Sequence, residues 1–356
     1  MPGNSFGTIF RITTWGESHG PAVGVVLDGC PSGLEISQEE IQFELDRRRP
    51  GQSKITTQRK EPDTVEILSG VFEGKTLGTP ISLMVRNQDA ISKSYEDIKD
   101  TYRPGHADFT YDEKYGFRDH RGGGRSSNRE TVGRVAAGAI AKKILNLNGI
   151  HTHGYVSQVG NITAKKIDFD QIEKNIIRCP DAKKAKEMIK LIDQVRKEGD
   201  SIGGVVEVVT TGLPTGLGTP VFHKVDAELA QGMMSLGGIR GFEVGLGFKA
   251  AKMKGSKAND VMQKNKSGEL GFKTNNAGGL LGGMTNGEDL VVRIAIKPTS
   301  SISKVQKTVD KDGNPKELRV KGRHDPCLCP RAVPIAEAMV NLVLVDQLLL
   351  SRTTRI

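Results

Sequence analysis

The stretch from Ser127 to Asn146, SNRETVGRVAAGAIAKKILN, decides the architecture. Ser127 followed three residues later by Glu130 is the pattern of a capping box, in which hydroxyl and carboxylate pair with the free amides of a helix start. Val132, Val135, Ala136, Ala139 and Ile140 then recur at helical spacing. Gly133, Ala137, Gly138 and Ala141 supply small neighbours on two sides, and small residues let another helix approach closely. The pattern predicts a helix from about Asn128 to Asn146, placed in the interior rather than on a solvated surface.

Working outward, Thr8 to Thr14 and Ala22 to Asp28 are rich in β-branched residues and predict an antiparallel pair of strands. Ser37 and Glu40 form a second capping box, and Pro50 stops the helix it starts near Arg49, which crowds three arginines at one helix end. Thr64 to Phe72 and Pro80 to Asn87 read as strands around a glycine-containing turn. On the C-terminal side come a charged helix over Asp181 to Lys197, similar strands at Gly203 to Thr211 and Asp289 to Lys297, and a closing helix over Ala332 to Leu350. Lys252 to Gly287 has little periodicity and reads as long loops. Gly29-Cys30-Pro31-Ser32-Gly33-Leu34 echoes Gly212-Leu213-Pro214-Thr215-Gly216-Leu217, each after a β-rich run. Duplicated sheet-plus-helix halves and independent recurrence of turn chemistry both account for it.

The chain has 356 residues, 36% of them hydrophobic, with 43 glycines. Its net charge of +9 points to an anionic partner: nucleic acid, an acidic membrane, or a small phosphorylated or carboxylated molecule. Met1 to Arg11 lacks the pattern of a signal peptide. The richest apolar run, Ile335 to Leu350, is interrupted by Glu337, Asn341, Asp346 and Gln347, which fits a packed helix and makes the cytoplasm the default location. Four cysteines make no disulfide framework, and Cys327-Leu328-Cys329 lacks the second pair a zinc site needs, so no metal is expected.

Gly70 to Thr76 falls one residue short of a phosphate-binding P-loop and reads as a turn. The stronger anion signal is Arg118, Arg121, Arg125 and Arg129, leading into the helix N-terminus at Ser127 with Gly122, Gly123 and Gly124 among them. Guanidinium forks grip carboxylate or phosphate, and glycines let a ligand approach the backbone. A solvated charged loop or an RNA-contacting segment is the alternative, although few aromatics are present to stack on bases. His19 in Gly16 to Gly20 and His106 in Arg103 to Asp108 stand beside glycine turns as acid–base candidates, and Arg323-His324-Asp325-Pro326 is a third such cluster.

Taken together, Gly16 to Gly20, Arg47 to Gly51, Arg103 to Asp108, Gly122 to Glu130, Lys297 to Ser301 and Gly322 to Cys327 resemble the chorismate synthase family in order and spacing over essentially the whole chain. The resemblance implies one α+β domain over residues 1–356, a β-α-β sandwich with core helices enclosed between sheets, assembled as a homotetramer. It implies a 1,4-anti elimination of phosphate and a proton from 5-enolpyruvylshikimate 3-phosphate, dependent on reduced FMN, in the shikimate pathway. By resemblance His19 donates a proton toward the departing phosphate, His106 protonates or steadies the anionic reduced flavin, and Asp325 works with flavin N5 to remove the C6 proton. Ser18, Arg48, Arg103, Ser127, Arg129 and Arg323 match the family's substrate contacts. Arg125, Ser126, Ser127, Gly237, Gly238, Gly282, Lys297, Pro298, Thr299, Ser300, Ser301 and Arg323 match its flavin contacts. The chain departs from the family at Lys54, where arginine is common, and at Gly237-Gly238 followed by Arg240 in place of lysine. NADPH is a candidate source of reducing equivalents and an external flavin reductase a candidate partner; neither nucleic acid nor membrane is expected.

Overall fold

The computed structural model describes residues 3–53, 55–57, 61–89, 98–264, 268, 270–320 and 324–354. In chain order these form β1 (Ser5–Phe6), β2 (Arg11–Gly16), β3 (Ala22–Asp28), α1 (Gln38–Arg48), β4 (Val65–Ile67), β5 (Val71–Phe72), β6 (Lys75–Thr76), β7 (Ile81–Arg86), α2 (Asp108–Tyr115), α3 (Thr131–Leu147), β8 (His151–Val159), β9 (Ile162–Thr163), α4 (Ala182–Lys197) and β10 (Gly204–Thr211). There follow α5 (Val225–Met234), β11 (Ile239–Val244), α6 (Gly255–Ala258), β12 (Met262–Lys264), β13 (Leu270–Phe272), β14 (Leu280–Leu281), β15 (Met284–Thr285), β16 (Leu290–Ile296), β17 (Gln306–Val309), β18 (Pro315–Leu318) and α7 (Cys329–Ser351).

Two five-stranded antiparallel sheets, ordered β1-β2-β3-β7-β4 and β11-β16-β10-β8-β9, enclose α3 and α7. Alternation supplies the inward faces: Val23, Val25 and Leu27 of β3 are buried, as are Leu290, Val292, Ile294 and Ile296 of β16. The small residues of α3 set the layer spacing. A Cβ at Gly133 would lie 2.9 Å from the Gly24 carbonyl of the first sheet, and one at Gly138 would lie 2.4 Å from Ala338 Cβ of α7. On the other side of α7, Gly154 of β8 makes room for Glu337. The result is the α+β sandwich that the resemblance implies, with the small-residue helix in its interior as the sequence predicts.

Several details differ from the sequence reading. The box at Ser37 forms, with Glu40 N–H donating to Ser37 Oγ and Ser37 N–H to Glu40 Oε2. The one at Ser127 does not. Ser127 Oγ accepts from Arg129 N–H, but the Glu130 carboxylate is drawn away to Thr14 Oγ1 and Arg134, so a 3-10 turn at Asn128–Glu130 precedes α3. Thr64 to Phe72 divides into β4 and a separate hairpin, β5–β6. Lys252 to Gly287 is not one long loop, since α6 and the hairpins β12–β13 and β14–β15 lie within it. Strands β8 and β11 and helix α5 lie outside the elements read from the sequence; α5 buries Val225, Leu229, Gly232 and Met233 at helical spacing, whereas the buried positions Thr152 and Gly154 of β8 carry no apolar signal.

The two echoing turns share their hydrogen bonds. Leu34 N–H donates to Thr76 Oγ1 at 3.0 Å, which donates to the Pro31 carbonyl at 2.6 Å. Leu217 N–H likewise donates to Thr285 Oγ1 at 2.9 Å, which donates to the Pro214 carbonyl at 2.6 Å. The threonines sit in the corresponding hairpins β5–β6 and β14–β15.

Helix α7 is long and apolar enough to cross a membrane by length and composition, yet 94% of that window is buried inside the protein. Its Asp346 accepts hydrogen bonds from the backbone amides of Thr8, Ile9 and Phe10 at 2.7, 2.8 and 2.9 Å, fastening the first strands to the last helix.

Candidate active site

A cavity of about 860 Å³ opens where the starts of α3 and α7 meet the glycine-rich loop and the segment after β16. His19, Arg48, Arg103, His106, Ser126, Ser127, Arg129, Gly237, Gly238, Lys297, Pro298, Thr299, Ser300, Ser301 and Asp325 line it. Residues separated by up to some three hundred positions in sequence are thus neighbours. Arg240 and Arg331 add positive charge, and Leu236 and Leu328 add apolar wall.

The cations are held from behind by buried carboxylates. Arg48 is fully buried; Nη1 donates to Asp63 Oδ2 at 2.8 Å, Nη2 to the Asn128 carbonyl at 2.6 Å and Nε to Thr131 Oγ1 at 3.2 Å. Burial pulls the Arg48 guanidinium down to about 9, with Asp63 opposing and Arg331 and Arg129 reinforcing, so it stays charged at neutral pH. Arg129 pairs with the other Asp63 oxygen and donates through Nε to Asn87 Oδ1 at 2.8 Å. Burial alone would raise the Asp63 carboxyl, but the Arg48 and Arg129 guanidinium groups hold it below the usual aspartate range.

Arg103 grips Asp108 through Nε at 2.7 Å and Nη2 at 2.6 Å, and the same carboxylate lies 3.0 Å from His106 Nδ1. His19 sits against Gly122, where a Cβ would come within 2.6 Å of the ring and φ is +133°; only glycine fits that approach. Asp325 Oδ1 accepts from Thr57 N–H at 2.8 Å and Oδ2 from Arg331 Nη1 at 2.5 Å. Lys297 Nζ donates to the Gly105 carbonyl at 2.8 Å and to Ser300 Oγ at 3.0 Å, tying the segment after β16 to the loop that carries His106. Desolvation, then Arg240, lowers the Lys297 ammonium from its ordinary value.

Other expected residues stand elsewhere. The Arg125 side chain bonds to the Gly16 and Thr14 carbonyls, Thr14 Oγ1 and Asn4 Oδ1; it ties the glycine-rich loop to β2 and faces a neighbouring hollow instead of the cavity. Arg118 is likewise spent on Asp112 and the Lys99 carbonyl, and Arg121 pairs with Asp119. Of the four arginines read as an anion cluster, only Arg129 lines the cavity. Ser18 is buried beside Gly122, behind His19. Gly282 occupies the turn of the β14–β15 hairpin, outside the cavity lining. Arg323 and Lys54 lie outside the described residues. Asp63, Thr57 and Arg331 escaped the sequence reading: nothing local marks Asp63, and Arg331 looks like one more polar residue of a packed helix. Among the described residues no cluster of metal-ligating side chains occurs, and the four cysteines are buried free thiols.

A family model described as chorismate synthase matches residues 10–349. A chorismate synthase of Chloroflexus aurantiacus is 56% identical over 100% of this chain and 98% of its own length. One of Methanosarcina mazei is 56% identical over 99% of this chain and 97% of its own. A solved structure described as a crystal structure of chorismate synthase superposes with a TM-score of 0.79 at 35% identity, covering 97% of this chain and 93% of its own.

Proposed function

Because the chain belongs to the chorismate synthase family, we propose that it eliminates phosphate and a proton from 5-enolpyruvylshikimate 3-phosphate to give chorismate, a carbon–oxygen lyase reaction of the shikimate pathway. The observation that carries this reading is the convergence of His19, His106 and Asp325 with carboxylate-braced arginines around one cavity. A substrate bearing two carboxylates and a phosphate matches that charge, and braced guanidinium groups need no reorganisation to receive it.

The donor set also suits FMN. Arginine and lysine with Thr299, Ser300 and Ser301 fit a phosphate and ribityl chain, while Leu236, Leu328 and Pro298 offer flat apolar contact, in a volume of ordinary ligand-site size. Reduced FMN supplies a transiently lent electron when bound. The chain's own residues supply proton handling: His19 donates toward the phosphate as its C–O bond breaks, His106 holds positive charge against the anionic flavin ring, and Asp325 accepts the C6 proton. The electron pair left at C6 completes the new double bond. Thr57 and Arg331 fix both Asp325 oxygens, which orients the base.

Anaerobic turnover with chemically reduced FMN tests the reading: chorismate and phosphate are expected in equal amounts, and a folded, flavin-binding protein that releases neither overturns it. The reducing equivalents come from an outside reductase, with NADPH as the upstream donor; reduction of FMN by NADPH and this protein alone would refute that. We further place the protein in the cytoplasm as a homotetramer, for which exposed Phe222 and Phe248 offer apolar contact area. A monomeric mass at micromolar concentration refutes the tetramer. The matched turns at Gly29 and Gly212 support an internal two-fold repeat within one domain.

A further inference from the structure

His106 enters the reaction above as a carrier of positive charge, and which of its nitrogens holds a hydrogen determines what it can do. We propose that Asp108 is a positioning residue that fixes the His106 hydrogen on Nδ1, so that Nε2 is the nitrogen presented to a bound molecule. The turnover part of this inference rests on the elimination reading; the hydrogen placement does not.

The argument is one of donors and acceptors. Asp108 is 4% exposed, and its Oδ1 lies 3.0 Å from His106 Nδ1. Burial works against its charge, but hydrogen bonds from Arg103 and His106 outweigh burial and hold the carboxyl well below the ordinary aspartate range. An ionised carboxylate only accepts hydrogen bonds, so a bare Nδ1 at that distance would set two lone pairs against each other. Arg103 Nη2 also lies 3.1 Å from Nδ1, and in principle could donate to it. Its two hydrogens already have acceptors, Asp108 Oδ1 at 2.6 Å and the Gly122 carbonyl at 3.3 Å. Nδ1 is therefore the donor to Asp108.

Neutral His106 then offers the ligand a lone pair on Nε2, and only the imidazolium offers an N–H. Whatever His106 gives a proton to, it gives it from the cation, whose charge Asp108 shares in balancing together with that of Arg103. The same pairing keeps the ring from rotating to present Nδ1.

The test is the nitrogen NMR spectrum of the full-length, ligand-free protein at a pH where the ring is neutral, with His106→Gln identifying the signal. Nδ1–H is expected. In Asp108→Ala, Arg103 Nη2 is released to donate to Nδ1, and the hydrogen should move to Nε2. If that variant fails to fold, Asp108→Asn replaces it, with a reduced share of Nδ1–H expected. Nε2–H in the unaltered protein, or an unchanged hydrogen position in the folded variant, overturns the proposal. In turnover, Asp108→Asn should lower kcat by roughly tenfold to a hundredfold alone but by less than about threefold in a His106→Gln background, since residues that act as a unit are not additive. Losses that multiply would reduce Asp108 to a support for Arg103. Absence of turnover in the unaltered protein would sink the elimination reading and leave the nitrogen shifts to judge the hydrogen placement.

Discussion

The two enclosed helices begin at the same cavity with opposite equipment. Before α3, Ser127 caps the chain and Arg129 faces the cavity, while its partner Asp63 stands fully buried behind it. At α7 no side chain caps the start, Pro330 occupies the first turn, and the carboxylate of Asp325 lines the cavity with Arg331 bracing it. Each start holds an arginine–aspartate pair, but one turns the cation toward the ligand and both of its acid's oxygens away from it. One layered architecture thus delivers what the proposed reaction needs, an anion-gripping wall and a proton-accepting wall, to one cavity.

The largest expected effect lies on the α7 side. Asp325→Asn keeps size and a hydrogen-bond acceptor but removes the base, and kcat should fall by about a hundredfold or more with the fold intact; turnover within threefold of the unaltered enzyme would strike Asp325 from the mechanism. On the α3 side the effect should register as stability. Asp63→Ala leaves buried Arg48 without its anion and Arg129 with only Glu61, 3.9 Å from its Nη2, and should cost about 3–5 kcal/mol in urea unfolding. A loss under 1 kcal/mol would mean the arginines find other partners.

The contrast extends to pH. The depressed Asp63 carboxyl contributes stability that is fully present above the ordinary aspartate value of 3.8 and is lost as pH falls through its lower folded value. The urea midpoint should therefore drop on the acid side of 3.8, and drop less in Asp63→Asn. Where the helices touch, Gly138→Ala would force a methyl into Ala338 and should cost about 1–3 kcal/mol. The smallest effect is at the cap before α3, where Ser127→Ala should lose about 1 kcal/mol in urea unfolding.

The interior position of α3 was legible because it is written in side-chain size, while the layered sandwich around it came from the family resemblance. Gly133, Ala137, Gly138 and Ala141 have little reason to crowd a solvated helix, and the alternation in β3 and β16 says which face is inward. Strand β8 was not legible, because its buried positions 152 and 154 carry Thr and Gly rather than large apolar residues, the glycine being needed for Glu337. At the site, His19, His106 and Asp325 stood out through the motifs around them. Their supports did not: Asp63 braces Arg48 and Arg129 across 15 and 66 residues of chain, a pairing that exists only once α1 and α3 have converged, and the Arg331 contact to Asp325, six residues away, depends on how the chain enters α7. Arg125 shows the converse, since a charge that reads as a ligand contact is consumed by backbone carbonyls.

The clasp between Asp346 and the amides of Thr8, Ile9 and Phe10 bears on how the chain is made. During synthesis from the N-terminus, those three amides have to await a carboxylate encoded more than three hundred residues later. The first sheet can pack on α3 early, but its leading segment lacks this clasp until α7 has been synthesised. A nascent chain stalled before α7 should leave the segment around Thr8 to Phe10 open to protease, and its protection should arrive abruptly once Asp346 is free to bind, rather than accumulating with length.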